Sequence, residues 1–474
     1  MIFKPKIYLT LLFLIFTKIT VSQQTSFERF YDFGAAETAY TILHTNDGGF
    51  VIGGRQGISL SNAKNLIYKI DSLGVLQWYK LIELNIGENT IYSSKITIDS
   101  SLIFTGVTSS VNNLLDAFLL KTNEYGDTLW SKIYTEIGNQ FGLEVIQTDD
   151  SGFAIAVLGD DFGEIIRTNN LGEMLWKKSY LFQNTFSPSI RSIIQTMDSG
   201  FLLCGSIQDS TNNYSVISIK TNILGDTIWT RKYKNYNSNI NLGYSVDQTN
   251  EGGYVIGGIT QDSLSPFYNC FIIKTDSLGN EIWNVSIGNQ TDFIDETLSK
   301  IIQTPDGGLV FSGTYSSQNN DDLYLVKLAQ NGLIEWEKHF GGFDNESGFG
   351  LDLSSDGGYA SCGYTNSFCL GCAYIVKTDQ NGLVNSISMQ NNSNLKIVTY
   401  PNPANEILYI NLDYFIKKGE VKINDISGKT LISNKFDSYE LIIEVGNLSE
   451  GMYFIQIFDN NNQIFHTQKL IIKH

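Results

Sequence analysis

At 474 residues the chain has room for one large domain and a small one, and its 12% aromatic content, 43 Gly and 6 Pro favour pleated strands joined by tight turns over helices. The net charge is −17; with +3 on the first 22 residues and −1 on residues 395–474, the intervening chain carries −19. A surface that acidic repels phosphate backbones and offers no basic stripe, which excludes nucleic acid as a partner.

The N-terminus places Lys4 and Lys6 before an apolar run from Ile7 to Phe16, then Thr20-Val21-Ser22 before Gln23. Two cations, a short apolar core and small residues at −3 and −1 describe a signal peptide over residues 1–22. The mature chain should begin near Gln23 and be exported. No later stretch is apolar enough to cross a bilayer, so no membrane span is expected after signal removal.

From residue 23 to 390 one unit recurs. All six Trp occupy one repeat position (Trp78, Trp130, Trp176, Trp229, Trp283, Trp336), each four residues after a Gly: Gly74, Gly126, Gly172, Gly225, Gly279 and Gly332. Five residues before each Gly stands a base: Lys69, Lys121, Arg167, Lys220, Lys274 and Lys327. A seventh copy, Lys377 to Gly382, carries Ser386 in the Trp slot. A second landmark runs in phase, beginning at Asp47, Asp150, Asp198, Glu251, Asp306 and Asp356, each followed by Gly-Gly or Ser-Gly and an aromatic or Leu; Asp99-Ser-Ser-Leu102 fills the remaining slot.

Each unit divides into four apolar runs; in the fifth these are Tyr244–Gln248, Tyr254–Gly258, Cys270–Thr275 and Glu281–Ile287. Short Gly-rich turns between alternating strands read as hairpins, and a four-stranded unit repeated about every 50 residues is the period of a propeller blade. The fold expected is an all-β, seven-bladed β-propeller. Phe27-Glu-Arg-Phe30-Tyr-Asp-Phe33-Gly34 matches the Trp336 segment in character, with Phe27 in the Trp slot. The seventh unit lacks its Trp strand, so the N-terminal strand should complete it and leave no open edge.

Each Trp is expected to pack against the neighbouring blade and bury an apolar face. The Asp-x-x-Gly turns (Asp71, Asp276, Asp379, with Asn123, Asn169-Asn170 and Asn222 elsewhere) read as β-turns with Gly in a left-handed position; one Asp per turn falls short of calcium's six to eight oxygens. Lys274-Thr-Asp-Ser-Leu-Gly279-Asn-Glu-Ile-Trp283 resembles the Trp-docking repeat of quinoprotein-like propellers, and the resemblance over residues 27–386 implies Trp locking adjacent blades. Here the turn is one residue shorter, the blade count is seven rather than eight, and the adjacent Cys-Cys pair of the quinone-dependent enzymes is missing, so their chemistry does not transfer.

Beyond a polar linker, residues 391–394, the pattern changes. Tyr400-Pro-Asn-Pro403, Asp425-Ile-Ser-Gly428-Lys429, Leu448-Ser-Glu-Gly451-Met-Tyr453 and Lys469-Leu-Ile-Ile-Lys473 punctuate alternating apolar runs, which predicts a small Ig-like antiparallel β-sandwich over residues 395–474. Those four motifs in that order resemble the type A C-terminal sorting domain of type IX secretion cargo. The resemblance implies handling by the type IX machinery, export through the periplasm and across the outer membrane, and then release or attachment at the cell surface.

No chemistry-bearing motif stands out. The four His (His44, His339, His466, His474) have no metal-ligand spacing, and no nucleophile elbow, zincin or phosphate loop occurs. Five cysteines suit no disulfide framework; Cys369-x-x-Cys372 is the one close pair, plausible as a local disulfide. The acidic pairs Asp160-Asp161 and Asp321-Asp322 read as solvated loop surface. No residue is therefore nominated as catalytic, cofactor-binding or metal-binding, and no cofactor is expected. The second-turn loops vary in length and content: Arg55–Asn65, Val107–Leu115, Gly159–Phe162, Ser206–Tyr214, Ile259–Asn269, Thr314–Asp322 and Tyr364–Cys372. Variable loops on one rim of a rigid scaffold mark the expected binding face. The function expected is a non-catalytic surface or secreted binding or adhesion protein with an extracellular protein or glycan ligand. The alternatives are a glycan-active hydrolase or lyase using the funnel and a structural matrix protein.

Overall fold

A computed structural model describes residues 26–57, 62–109, 114–160, 162–182, 188–263, 265–288, 294–318, 320–369, 371–384, 398–401, 403–425, 429–458 and 464–474. The signal-peptide and linker expectations, residues 1–22 and 391–394, lie outside them, as do parts of several second-turn loops. No α-helix occurs among the described residues, so no helix is long and apolar enough to cross a membrane.

Among the described residues, seven four-stranded antiparallel sheets follow one another. Sheet 1 holds Glu37–His44, Phe50–Gln56, Lys64–Ile70 and Leu76–Ile82; sheet 2 runs from Asn89 to Tyr134, sheet 3 from Gln140 to Ser179 and sheet 4 from Ser189 to Tyr233. Sheet 5 runs from Ser238 to Ile287 and sheet 6 from Asp295 to Phe340; sheet 7 combines Glu346–Leu353, Tyr359–Thr365 and Cys372–Thr378 with the N-terminal strand Phe27–Tyr31. That last pairing is antiparallel, from Phe27 opposite Lys377 to Tyr31 opposite Ala373. Consecutive sheets pack together through their first strands, and the first strand of sheet 1 packs on that of sheet 7. The arrangement is propeller-like.

Residue choice within a sheet follows from its neighbours. The second and third strands have a sheet on either side, so Phe50–Gly54 and Leu66–Ile70 are continuously buried. The fourth strand is the rim, and Leu76–Ile82 alternates half-buried with exposed.

The Trp residues sit on that rim and reach the next sheet's last turn. A Cβ added to Gly126 would stand 2.7 Å from the Trp78 ring; Gly172 meets Trp130 in the same way, Gly225 meets Trp176, Gly279 meets Trp229, Gly332 meets Trp283 and Gly382 meets Trp336. Phe27 occupies the slot against Gly74, with the Gly74 Cβ position 2.9 Å from its ring. Each Gly has a positive φ of 71–84°, so the turn needs Gly for its backbone and the indole needs it for space. The Trp rings are half-buried, less covered than full burial against a neighbour would require, because only one face meets the next sheet. Phe27 is 2% exposed. Tyr31, Tyr134, Tyr180 and Tyr233, four residues beyond their docking aromatic, donate their hydroxyls to Gly74, Gly172, Gly225 and Gly279 carbonyls at 2.6–3.0 Å.

Both recurring landmarks meet inside each sheet. The acid of the first turn pairs with the base near the third: Lys69 with Asp47 at 2.8 Å, Lys121 with Asp99 at 2.7 Å, Lys220 with Asp198 at 2.9 Å, and Lys377 with Asp356 at 2.9 Å. Arg167–Asp150, Lys274–Glu251 and Lys327–Asp306 complete the set. The bases are buried and their partners, Asp356 excepted, face water, so these latches hold the hairpins rather than a ligand. Asp71, Asn123, Asn169, Asn222, Asp276 and Asp379 accept the backbone N–H groups two and four residues on, as β-turn caps.

The C-terminal segment differs from the two-sheet sandwich expected. Its strands Val398–Tyr400, Ile407–Asn424, Thr430–Glu444, Gly451–Phe458 and Ile464–Ile472 form one five-stranded sheet. The two long strands shift register between Asn411 and Gly419, which lets one hydrogen-bonded ladder continue around a bend. Leu408, Ile410 and Ile443 before the bend share a buried cluster with Val421, Ile423, Ile455 and Leu470 beyond it, so a folded sheet supplies both faces of the core. A parallel bridge between Ala404 and Ile472 ties its ends, with Ala404 N–H donating to Ile471 and Lys473 N–H to Ala404.

Candidate functional site in the channel between the inner strands

Every first strand carries a β-bulge at one position. The ladder skips one residue between Ala39 and Thr41, Ile91 and Ser93, Gly142 and Glu144, and Ile190 and Ser192. It does so again between Gly243 and Ser245, Leu298 and Lys300, and Gly348 and Gly350. The extra residues are Tyr40, Tyr92, Leu143, Arg191, Tyr244, Ser299 and Phe349, and all seven line one cavity of about 190 Å³ between the inner strands. The second strand makes room: a Cβ on Gly54, Gly106, Gly205, Gly258, Gly313 or Gly363 would come within 1.6–1.9 Å of a first-strand carbonyl.

A bulge frees a backbone N–H, and the adjacent sheet's hydroxyls take it up. Ser93 Oγ accepts from Val145, Ser192 Oγ from Val246 and Ser245 Oγ from Ile301 at 3.1–3.3 Å, while Thr41 Oγ1 and Ser94 Oγ stand 2.7 Å apart. Sheet 3 has a carboxylate in this slot: Glu144 accepts Ile193 N–H at 3.0 Å and the Ser192 hydroxyl, and Lys300 of sheet 6 reaches it at 2.5 Å. Burial pushes Glu144 up, but the Lys300 and Lys95 charges outweigh it and hold the carboxyl below its ordinary value; burial lowers Lys300 and Glu144 raises it, leaving it above normal. Deeper in, Asp352 accepts His44 N–H at 2.8 Å and Asp247 accepts Gln303 N–H at 3.0 Å, and burial raises both carboxyls.

The bulge residues are aromatic on one side. Tyr92, Tyr40, Phe349 and Tyr364 form a continuous arc with ring centroids 5.2, 5.1 and 6.2 Å apart. On another wall the Arg191 guanidinium lies 4.9 Å over the Tyr244 ring. Tyr364 stands near the second-turn end of its strand, and Arg55 and Glu88, at the same end of their sheets, lie close enough to shift Tyr40. The arc therefore opens towards the variable-loop rim.

The sequence motifs left as surface or core have structural posts. His44 Nε2 accepts Ser355 N–H at 3.4 Å across the junction of sheets 1 and 7, a slot where Gln147, Gln195, Gln248 and Gln303 accept from Ile98, Asp149, Met197 and Asn250 at four other junctions. His339 packs edge-on against Tyr315 and tilted against Tyr324. His474 bonds to Asn405 and the Leu448 carbonyl, and the His466 side chain lies outside the described residues. Asp160 accepts the Asn139 N–H; Asp161 is outside the described residues. Asp322, pushed up to about 6 by burial and by Glu346, accepts from Asn320. Cys369 and Cys372 form a disulfide, and Cys204, Cys270 and Cys362 are buried thiols. Asp32, Glu37 and Cys372 bring potential ligand atoms within 4.8 Å of one another, but that sulfur is already bonded to Cys369.

The bent sheet, its Ala404–Ile472 tie and the four ordered motifs coincide with a known module: residues 398–473 match the Secretion system C-terminal sorting domain family. This segment is a type IX secretion sorting domain. The chain is accordingly exported by type IX secretion to the cell surface or the medium. Over 93 residues, 19% of this chain and 18% of the relative, it is 34% identical to an endo-acting ulvan lyase of Formosa agariphila; the match spans less than a fifth of the lyase. Among solved structures it is similar to PorZ, a surface component of the type IX secretion system of Porphyromonas gingivalis, at 9% identity and TM-score 0.43 over 90% of this chain and 64% of PorZ. The β-propeller domain of the trilobed protease from Pyrococcus furiosus aligns at 14% identity and TM-score 0.44 over 74% of this chain and 99% of that one. A Dyadobacter fermentans protein of unknown function aligns at 12% identity and TM-score 0.45 over 74% and 97%.

Proposed function

We propose that the sorted cargo is a seven-bladed β-propeller over residues 23–390, closed by its N-terminal strand, and that it acts outside the cell as a non-catalytic binding module. Residues 1–22 would be its signal peptide and 395–474 its sorting domain. The ligand, an extracellular glycan or protein, enters the channel at the variable-loop rim.

One observation carries this reading. Seven bulges in phase sacrifice ladder pairing on every inner strand and present four aromatics and an Arg where a scaffold would be served by small side chains. The channel carboxylates favour binding over catalysis: Glu144 is engaged by Lys300 and Ser192, and Asp247 and Asp352 by backbone N–H groups. A secreted hydrolase would need a carboxylate pair open to substrate; a lyase, the alternative that the partial likeness to an ulvan lyase keeps in view, would need a general base placed at the proton next to the sugar carboxylate.

The test is a combined glycan and protein array probed with the mature chain and with Tyr40→Ala/Tyr92→Ala/Phe349→Ala. Signals present with the mature chain and absent with the variant are expected. Equal binding by both would remove the channel as the site, and turnover of any polysaccharide would overturn the non-enzymatic reading.

A further inference from the structure

We propose that the channel mouth takes a carboxylated pyranose, one uronate residue of an acidic polysaccharide, stacked on the Tyr92–Tyr40–Phe349 arc with its carboxylate on Arg191. The proposal rests on the reading of the mouth as a ligand site and names what fills it.

The sign of the ligand follows from which charges are already used. Five Arg occur in the chain. Arg29 donates to the Gly74 carbonyl, Arg167 closes the sheet 3 latch, and Arg231 lies over Trp229 on the outer rim. The other two, Arg55 and Arg191, belong to the mouth. Arg191 is exposed on its bulge, and among the described residues its only partner is the Tyr244 face, which orients the guanidinium and leaves its N–H fork free. The Lys95 charge already acts on Glu144, Asp247 and Asp352, and those channel anions all accept hydrogen bonds at 3.0 Å or less, so the Arg191 fork is what remains open to a ligand. Unspent donors facing spent acceptors select an anion. The propeller's −19 surround gives no long-range pull on a polyanion, so the charge is read at contact, inside a screening length of about 8–10 Å.

The shape follows from the arc. The axial C–H face of a pyranose is apolar and weakly positive, which matches the negative face of Tyr and Phe rings. Thr41, Ser93 and Ser299 line the same cavity and bring hydroxyl-bearing side chains suited to sugar hydroxyls. A cavity of about 190 Å³ is smaller than the roughly 300–1,000 Å³ of sites that enclose a whole drug-sized ligand, so one sugar unit seats while the rest of the chain lies across the rim.

Calorimetry on the mature chain tests this with three probes: trigalacturonate, neutral β-1,4-galactotriose and hexaglutamate. Trigalacturonate should bind, with galactotriose at least tenfold weaker. Arg191→Gln should cost trigalacturonate about tenfold or more, the loss of one charge-assisted contact, and abolish the preference; Tyr40→Ala should weaken binding further. Each variant is first matched to the parent by thermal melt. Equal binding of both trisaccharides, indifferent to Arg191→Gln but lost on Tyr40→Ala, overturns the carboxylate and leaves the mouth as the site. Hexaglutamate bound through Tyr40 in preference to sugars overturns the sugar. No binding of any probe by the folded chain overturns the proposal.

Discussion

The Trp–Gly docks make a prediction about coupling that is sharper than one about stability alone. At Gly172 the backbone sits at φ 74°, and an added Cβ would lie 2.6 Å from Trp130 Cζ3 and 2.8 Å from Cη2. Gly172→Ala should therefore cost about 1 kcal/mol for the left-handed conformation and about 2 kcal/mol more for displacing the indole. Trp130→Ala alone should cost about 2 kcal/mol, below the roughly 3–5 kcal/mol of a fully buried aromatic, because the ring is half-buried. In the double variant the clash disappears and only the backbone strain and the lost packing remain, about 3 kcal/mol rather than the 5 of simple addition. Urea unfolding followed by far-UV circular dichroism, which does not depend on the deleted fluorophore, measures all four corners of the cycle. Gly172→Ala combined with Trp283→Ala, on a different junction, is the additive control. Additivity within about 0.5 kcal/mol at Gly172/Trp130 would mean that the indole does not rest on that turn.

Two further outcomes are expected. The latch acids Asp47 and Asp306 are desolvated but lowered from 3.8 to about 2, Asp47 by Lys69 and Thr45 and Asp306 by Thr304 and Lys327, and contribute stability that is complete above pH 4 and lost as pH falls through 2; Glu37, raised by burial from 4.5 to about 7, works in the opposite sense, so stability falls as pH rises between those values. Melts of the parent and Glu37→Gln from pH 2 to 8 should share the acid limb and differ in slope above pH 4.5, and identical slopes would contradict the Glu37 assignment. Deleting residues 395–474 in the native host should keep the rest of the chain out of the medium, as judged by immunoblot; undiminished release would contradict the sorting role.

Much of the scaffold was legible because it is repeated. Seven copies of an acid, a base, a Gly and an aromatic left little freedom for the strands, and Phe27 standing in for a Trp announced the pairing of Phe27–Tyr31 with Cys372–Thr378. The acids and bases were visible separately, but only the hairpin geometry brings Asp47 to Lys69, since 22 residues separate them in sequence. The residues that line the channel were missed for a different reason. Their signal is a Gly in the second strand, at Gly54, Gly106, Gly205, Gly258, Gly313 and Gly363, which reads as a weak strand residue until the bulge opposite explains it. With the bulge unrecognised, Tyr40, Tyr92 and Arg191 look like ordinary members of alternating strands. The C-terminal sheet misled for a related reason, since alternation along Ile407–Asn424 does not reveal where a strand bends from one layer to the other.

The proposed closure rests on the antiparallel pairing of Phe27–Tyr31 with Cys372–Thr378, and removal of residues 27–34 probes it most directly. That segment supplies Phe27, Tyr31 and the fourth strand of sheet 7. Losing it should lower the melting temperature of the mature chain by roughly 10 °C or more, at about 2 °C per kcal/mol for a large domain. A melting temperature equal to that of the parent would mean that the first and last sheets are not joined through this strand.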